Sequence, residues 1–231
     1  MIEIGHFSHT GLHREINEDS YWVDANLGLF LVVDGMGGHG RGEVAAAIAR
    51  DTLVDAIGAG RSIEQAIRSA GDAIAASVTA TPPAGATLAL LKIEGQQFAV
   101  ASIGDAQAYL WHHGSRQALC HDGPAAANER DPLPDSDKPA HPEPRRNRVT
   151  HALGVTPPPD LYAAPLRGTL ERGMQFLLCS DGLSEELDDA RIDRVLARTD
   201  LAAQECVDHL LLAALDAGGH DNISIVMVRV L

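Results

Sequence analysis

The sequence feature that most constrains the fold is a set of short runs that are almost entirely apolar. They cover residues 29–33 (LFLVV), 176–179 (FLLC) and 223–231 (ISIVMVRVL). A run of this length without strict alternation is typical of a β-strand covered on both faces, because a solvent-facing side would show polar residues at every second position. The chain must therefore place further layers of secondary structure on both sides of these strands.

Helical patterning occupies the segments 43–80 and 189–217. In the first segment, four apolar residues recur on one helix face: Ile63, Ile67, Ile74 and Val78. Ser62 precedes this face and is a suitable N-cap. The second segment contains a helix over 201–217 that Gly218 ends. Its inward face carries Val207, Leu210, Leu211 and Leu215.

Strand-like segments cluster at 86–113 and 162–180, and the helical segments lie outside these clusters. Strands and helices do not alternate strictly, so we predict a sandwich with sheets inside and helices outside. Nine of the twelve prolines fall between positions 124 and 159. We interpret 121–148 as an exposed loop within one domain that spans 1–231, because no independent core follows it.

A turn at Gly104-Asp105 separates two apolar stretches, 98–103 and 106–111. Turn residues between two strand-like runs favour a tight reversal of the chain. The sequence therefore predicts that these two stretches pair with each other as a β-hairpin.

The charge balance argues against several classes of partner. Lys plus Arg number 18 and Asp plus Glu 32, so the net charge is −14, which repels nucleic acid and anionic membrane surfaces. Arg145, Arg146 and Arg148 form the only tight basic group, interpreted as part of a solvated loop. No apolar run approaches the ~20 residues of a membrane-spanning helix.

The cysteines and the N-terminus indicate a cytoplasmic protein. The three cysteines, Cys120, Cys179 and Cys206, form no CxxC pair, which disfavours a disulfide framework or a zinc site and favours reduced, buried thiols. The N-terminus carries neither the basic start nor the apolar stretch of a secretory signal.

Acidic residues recur where strands begin or end. Asp34-Gly35 and Asp181-Gly182 each follow a buried strand, Asp221 precedes the last strand, and Asp105 lies at a turn. One such Asp-Gly pair is usually a plain turn. Several carboxylates at one rim of neighbouring strands cannot all stay ionised without a neutralising charge, and oxygen ligands favour Mg²⁺ or Mn²⁺. The sequence therefore predicts a divalent-cation site.

Two neighbouring segments suggest what this site binds. Arg14 lies four residues before Glu18, and beside a metal cluster its guanidinium could hold a phosphate through two parallel hydrogen bonds. The segment 34–42 contains five glycines and would let a substrate or ion approach the backbone. It is not a P-loop, because no Gly-Lys-Ser/Thr follows.

Five motifs taken together resemble the metal-dependent Ser/Thr protein phosphatases, the PPM or type 2C family. In chain order they are Arg14…Asn17-Glu18-Asp19, Val33-Asp34-Gly35-Met36-Gly37-Gly38-His39, Ile103-Gly104-Asp105, Ser180-Asp181-Gly182-Leu183 and Gly219-His220-Asp221-Asn222-Ile223-Ser224. The DGMGGH form of the second motif is similar to that of the bacterial branch. The resemblance implies an α+β fold: a four-layer α-β-β-α sandwich of two packed antiparallel sheets flanked by helices.

The resemblance also implies a site that holds two core ions, Mn²⁺ or Mg²⁺, and a third, weaker ion. The implied ion ligands are Asp34, which bridges the two core ions, the Gly35 carbonyl, Asp181 and Asp221 at the core, and Asp105 at the third ion. Glu18 and Asp19 would hold metal-bound waters, and Arg14 would bind the substrate phosphate.

The chain departs from the family pattern in three places. Some members have a histidine after the Asp-Gly of the second motif as general acid, but this chain has Met36 there, which leaves His39 or a metal-bound water as the candidate. The Gly-Asp motif continues as Ala106-Gln107 instead of Ser-Arg. The segment 121–148 takes the place of the substrate-facing flap, but it is proline-rich and shorter.

Phosphate monoester hydrolysis needs up to ~10²¹-fold acceleration, whereas one positioned acid or base supplies only about 10²–10⁴. Two metal ions can generate a hydroxide nucleophile and offset charge on the phosphoryl oxygens, so our leading hypothesis is in-line attack by a metal-bridging hydroxide. The resemblance implies phosphoserine and phosphothreonine in proteins as the substrates. The resemblance implies a bacterial Ser/Thr kinase as the opposing partner and a role in signalling. Two alternatives stay open, a non-catalytic phosphoprotein-binding module and a small-molecule phosphomonoesterase.

Overall fold

The computed structural model describes residues 1–38, 40–77, 83–119, 151–157 and 164–231. Within these ranges it has ten strands and five helices. In chain order they are β1 (Ile2–His9), β2 (Asp19–Asp24), β3 (Leu29–Met36), α1 (Arg41–Gly58), α2 (Ile63–Ser77), β4 (Gly85–Glu94), β5 (Gln97–Ile103), β6 (Gln107–His112), β7 (Ser115–Ala118), β8 (Leu166–Thr169), β9 (Gln175–Cys179), α3 (Asp181–Ser184), α4 (Asp189–Leu196), α5 (Ala203–Ala217) and β10 (Ile223–Val230).

The strands form two antiparallel sheets of five strands each. The spatial order is β1-β10-β9-β6-β7 in the first sheet and β2-β3-β4-β5-β8 in the second. Helices α1 and α2 pack on the outer face of the second sheet, and α3, α4 and α5 pack on the outer face of the first. The layer order is therefore α-β-β-α, and the predicted sandwich is confirmed.

Strand β3 shows why the apolar runs have no polar face. Leu29, Leu31 and Val33 pack against the helices α1 and α2. Phe30 and Val32 point the other way, into the core between the two sheets. Because successive side chains of a strand point to opposite faces, both faces must be apolar when both are covered. In the same inter-sheet core, the rings of Phe98 and Phe176 meet edge to face, 4.9 Å apart.

The predicted helix ends are confirmed where the structure describes them. Ser62 Oγ accepts a hydrogen bond from the Gln65 amide, and Gln65 Oε1 accepts one from the Ser62 amide, which is a reciprocal capping box. Helix α5 ends at Gly218, whose amide and that of Gly219 both donate to the Ala214 carbonyl. Val78, the last residue of the predicted apolar face, lies outside the described residues.

The predicted hairpin at Gly104-Asp105 is wrong. Strand β5 pairs with β4 and β8 in one sheet, whereas β6 pairs with β7 and β9 in the other. The chain therefore crosses between the sheets at Gly104, whose φ of 77° is favourable for glycine. A turn signal shows that the chain reverses, but it does not say in which sheet the next strand pairs. Asp105 is thereby placed between the two sheets.

Other sequence predictions fall partly outside the described residues. Cys179 and Cys206 are buried free thiols, as predicted, whereas Cys120 is not described. The loop 121–148, with its basic arginines, also lies outside the described ranges. None of the helices in the described parts of the chain combines the length and the apolar character needed to cross a bilayer.

Candidate metal centre

The sequence-predicted acids meet in a cavity of about 370 Å³ at one end of the two sheets. Its lining residues are Arg14, Glu18, Asp34, Gly35, Met36, Gly37, Gly38, Asp105, Asp181, Asp221 and Asn222. Asp19 is the one predicted acid that lies behind this lining. His39, the tentative acid, lies outside the described residues.

The register of the second sheet places two carboxylates side by side. Asp19 on β2 pairs with Asp34 on β3. Directly opposed residues of antiparallel strands project to the same face, with Cβ atoms about 4.5–5.5 Å apart. Asp34 is two residues beyond Val32, so the strand alternation also points it toward the space between the sheets.

Three carboxylates from both sheets form the centre of the site. Asp34, Asp105 and Asp181 each offer an oxygen atom, and these three atoms lie within 4.8 Å of one another. Asp34 is near the end of β3, Asp105 is at the crossing between the sheets, and Asp181 begins α3 directly after β9. Three strand ends that meet at the mouth of the sandwich therefore build a group that no local sequence segment could build.

Burial of these acids, together with their crowding, shifts their pKa values upward. Burial, followed by the negative charges of Asp19, Asp181, Asp105 and Asp221, raises the pKa of Asp34 well above its usual range. Burial, with a contribution from the charge of Asp105, raises the pKa of Asp181 to about 7. Burial likewise raises the pKa of Asp19 to about 6, against hydrogen bonds from Ser180 and Ser224 that lower it.

Two carboxylate oxygens in the site lack the partners that buried oxygens normally have. Oδ1 of Asp19 and Oδ1 of Asp105 are buried, and neither accepts a hydrogen bond from any described residue. Buried polar atoms are nearly always satisfied. Orphaned oxygens next to a tight carboxylate trio are the donor set that Mg²⁺ and Mn²⁺ prefer, so the residues present fit divalent cations.

Asp221 forms an ion pair with Arg14 and is not a member of the tight trio. Its Oδ2 accepts a hydrogen bond from Arg14 Nη2 at 2.5 Å, and its Oδ1 accepts one from the Asn222 amide at 2.7 Å. The resemblance groups Asp221 with Asp34 and Asp181, whereas in the structure Asp105 is the third member of that group. Arg14 and Asp221 are nevertheless in the same cavity as the trio.

Glu18 and Gly35 join the site to the start of helix α1. Glu18 Oε1 accepts a hydrogen bond from the Gly42 amide at 3.1 Å, which places a negative charge at the positive end of the helix dipole. The backbone around Gly35 is so close that an added Cβ would lie 2.0 Å from the Gly42 carbonyl oxygen. Only glycine fits there, which explains the Asp-Gly pair.

Asn222 is a site residue to which the sequence analysis assigned no role. Its side chain is buried, and its Nδ2 donates to the carbonyl oxygens of Thr10 and Ile16 at 2.8 and 3.0 Å. Its Oδ1 accepts a hydrogen bond from the Glu18 amide at 2.8 Å. Asn222 therefore fixes both ends of the loop that carries Arg14. Its place directly after Asp221 in a motif was the only available signal.

A chain of hydroxyl groups behind the cavity orients Asp19. Ser180 Oγ donates to Asp19 Oδ2 at 2.8 Å and accepts a hydrogen bond from the Ser224 amide at 2.9 Å. Ser224 Oγ in turn shares a hydrogen bond with Ser8 Oγ. Ser180 and Ser224 stand in the quoted motifs, but no role was assigned to them there, so sequence reasoning did not find this network.

The departures from the family pattern have structural counterparts. Met36 lines the cavity and offers no acidic proton. Gln107, at the position of the family's arginine, donates its side-chain amide to the Asp105 carbonyl oxygen at 2.8 Å. Near the rim the structure also places Glu185, whose pKa is raised by burial and by the charge of Asp105. Glu185 lies one helical turn after Asp181 and belongs to none of the quoted motifs, so the sequence analysis did not identify it.

We expect the thermal stabilisation by Mn²⁺ to grow as pH rises from 5 to 7.5. In the folded protein the pKa is raised to about 6 for Asp19 and to about 7 for Asp181. Such carboxyls stabilise the metal-free protein at pH values below their unfolded pKa, and this stabilisation is lost as pH rises through the folded values. Because cations bind the deprotonated carboxylates, they offset the largest charge repulsion, and so stabilise the protein most, at the higher pH. Melting curves with Mn²⁺ and with EDTA measure the difference, and an equal difference at both pH values would contradict this expectation.

Comparison with known proteins identifies relatives of the whole fold. The family model described as Protein phosphatase 2C matches residues 13–216. Serine/threonine protein phosphatase PstP of Mycobacterium tuberculosis (strain CDC 1551 / Oshkosh) is 33% identical over 233 residues. That alignment covers 96% of this chain but 44% of PstP, so the chain spans less than half of that relative's length.

Solved structures match over nearly the full chain. PppA of Pseudomonas aeruginosa, described as a key regulatory component of T6SS, superimposes with a TM-score of 0.81 and 27% identity, covering 100% of this chain and 98% of that one. The catalytic domain of PstP in complex with two manganese ions superimposes with a TM-score of 0.79 and 26% identity, covering 99% and 97%.

Proposed function

This chain belongs to the protein phosphatase 2C family, and we propose that it hydrolyses phosphoserine and phosphothreonine in proteins with the help of divalent cations. The observation that carries the proposal is the trio of Asp34, Asp105 and Asp181, whose oxygens lie within 4.8 Å of one another beside Arg14. It is supported by a family match over residues 13–216 and by a structural neighbour that contains two manganese ions.

We propose the cation ligands that the family resemblance implies, and the meeting of these residues in one cavity supports them. Asp34, the Gly35 carbonyl, Asp181 and Asp221 would hold the two core Mn²⁺ or Mg²⁺ ions, with Asp34 contributing to both. Asp105 lies close enough to Asp181 to share a third, weaker ion with it. When bound, such cations lower the pKa of a coordinated water and offset charge on phosphoryl oxygens.

The protein's own groups position the substrate and the nucleophilic water. Glu18 is anchored on the Gly42 amide, and Asp19 is anchored on Ser180, so both carboxylates are oriented toward the site to hold water molecules. Arg14 presents the planar guanidinium that matches two phosphate oxygens. Its present partner is Asp221, so phosphate binding by Arg14 and cation binding at Asp221 both require this ion pair to open.

Protonation of the leaving alkoxide is assigned to His39 or to a water molecule, because Met36 cannot donate a proton. The cavity of about 370 Å³ is lined largely by charged and glycine residues and opens to solvent, which suits a phosphorylated side chain presented by a protein. We further propose that 1–231 is one catalytic domain that acts in the cytoplasm in signalling and reverses the action of a Ser/Thr kinase.

The experiment that tests this function measures cleavage of matched phosphothreonine and phosphotyrosine peptides. We expect Mn²⁺-stimulated release of phosphate from the phosphothreonine peptide and loss of activity on chelation. Equal or faster cleavage of the phosphotyrosine peptide would overturn the specificity. Tight Mn²⁺ binding without turnover would instead favour the non-catalytic module, and faster cleavage of phosphorylated metabolites would favour the small-molecule enzyme.

We expect Arg14→Lys to lower kcat/KM for the phosphothreonine peptide by roughly 10–100-fold. Lysine keeps the charge but loses one of two parallel hydrogen bonds to the phosphate, and a charge-assisted hydrogen bond is worth about 1.5–3 kcal/mol. Steady-state kinetics at saturating Mn²⁺ measures the effect. Arg191→Lys, an exposed substitution on α4, is the matched control and should change nothing. An unchanged kcat/KM in Arg14→Lys would remove Arg14 from the phosphate site.

A further inference from the structure

A second cavity, of about 560 Å³, lies at the opposite end of the second sheet from the carboxylate site. Lys92 lines it and pairs with Leu29 at one end of β3, whereas Thr87 pairs with Asp34 at the other end. Five residues of strand separate the two positions, or about 17 Å. Its volume falls within the range of about 300–1,000 Å³ that is typical of small-molecule sites.

The floor of this cavity is apolar. Leu27, Ile57 and Ile63 line it, and all three belong to the apolar cluster between the second sheet and helices α1 and α2. They come from the β2–β3 turn, the last turn of α1 and the first residue of α2, so the cavity lies where a turn meets two helices. Ile57 and Ile63 are both buried, with exposed fractions of 6% and 5%, so they form a fixed surface.

Lys92 brings a positive charge to this apolar surface without an acidic partner. Its ammonium group donates to the carbonyl oxygens of Leu27 and Ile93, at 2.8 and 3.1 Å, and its side chain is half-buried. In the described parts of the chain, no ion pair involves Lys92. An ammonium group has three donors, so one N–H remains for a ligand.

Two arginines lie on the rim of the same cavity. Arg61 is exposed and donates to the neutral Ser69 hydroxyl at 3.3 Å. Arg167 is paired with Glu64 at 3.4 Å, which offsets much of its charge. Glu94 also lines the cavity. The three cations Lys92, Arg61 and Arg167 therefore exceed the two carboxylates Glu64 and Glu94 by one positive charge, in a chain whose net charge is −14.

We propose that this cavity binds a small amphipathic organic anion. A carboxylate, sulfonate or phosphate group is held by Lys92 and Arg61, and an apolar body lies on Leu27, Ile57 and Ile63. A hydrophobic floor with a few convergent polar groups is the usual composition of a ligand site. The proposal uses no residue of the carboxylate site, so it stands or fails independently of the phosphatase activity.

The test is a fluorescence titration with two probes that differ in charge. The probes are 8-anilinonaphthalene-1-sulfonate and its uncharged analogue N-phenyl-1-naphthylamine. We expect saturable binding of one sulfonate probe per chain, about tenfold tighter than the neutral probe. Lys92→Met keeps the aliphatic stem, and it should weaken the sulfonate probe about tenfold while leaving the neutral probe unchanged.

Two further variants keep the proposal falsifiable. Arg61→Gln removes an exposed charge with little effect on folding, and it should weaken the sulfonate probe several-fold even if Lys92→Met does not fold. Arg198→Gln, an exposed arginine paired with Asp200 in the opposite helical layer, is the control and should bind both probes normally. Absence of saturable binding, equal affinity for both probes, or unaltered affinity in Lys92→Met and Arg61→Gln would overturn the proposal.

Discussion

Asp34→Asn is expected to abolish turnover while making the metal-free protein more stable. Asparagine has nearly the same shape but cannot bridge two cations. Because metal charge stabilisation is worth several kcal/mol, kcat/KM should fall by roughly 10³-fold or more. In the metal-free protein, however, burial and the charges of four other acids raise the pKa of Asp34, so its carboxylate is unfavourable there. Removing its charge relieves that repulsion.

The measurement combines phosphopeptide kinetics with melting curves at pH 7.5. We expect the Tm of metal-free Asp34→Asn to rise by roughly 2–4 °C, the shift that about 1 kcal/mol produces in a chain of this size. The stabilisation by Mn²⁺ should disappear. Asp55→Asn makes the same chemical change at an exposed position of α1 and is the control for both readouts. Full Mn²⁺ stabilisation in Asp34→Asn would contradict the assignment of Asp34 as the bridging ligand.

The opposite effects on activity and stability follow from how the site is built. A protein that gathers five acids at one rim gives up stability in the metal-free state, and bound cations restore it. Asp181 shows the same opposition between activity and stability, because burial and neighbouring acids raise its pKa to about 7. Such strain is expected at a site where local interactions are set by function.

The strands and layers could be predicted because burial on both faces leaves a direct record in the sequence. Residues 29–33 must be apolar throughout once helices cover one side and a second sheet covers the other. The strands with which β5 and β6 each pair could not be predicted. Gly104-Asp105 indicates that the chain reverses, but it does not indicate which sheet the next strand joins. Strand partners depend on long-range packing that a short window does not contain.

The sequence analysis predicted that the acids of the site meet at one rim, but it could not show which of them form the tightest group. Asp34 and Asp181 are recognisable because each follows a buried strand. The membership of Asp105 in the central trio depends on the crossing between the sheets, which the sequence analysis predicted as a hairpin. The role of Asn222 depends on hydrogen bonds to residues more than 200 positions away, such as Glu18. These contacts exist only once the two ends of the chain pair.

Because Asn222 makes these long-range hydrogen bonds, we expect Asn222→Asp to be strongly destabilising, although the two side chains have nearly the same shape. The new carboxylate keeps an acceptor for the Glu18 amide but loses the two N–H groups that bind the carbonyl oxygens of Thr10 and Ile16. It also faces those oxygens with a negative charge, next to Asp221. Two lost hydrogen bonds and an unpaired buried charge should cost about 2–4 kcal/mol of unfolding free energy.

The same substitution should lower kcat/KM by at least about 10²-fold at saturating Mn²⁺, because a displacement of about 1 Å in a positioning group can have an effect of that size. Asn222 holds the loop that presents Arg14, so the loop should also become accessible to protease at temperatures where the rest of the fold is intact. Urea unfolding, kinetics and limited proteolysis measure the three effects. Asn26→Asp makes the same change in the exposed turn between β2 and β3 and should be nearly neutral. If Asn222→Asp lost stability but kept full activity, the loop would not need this anchor, and the positioning of Arg14 would have to come from its ion pair with Asp221 alone.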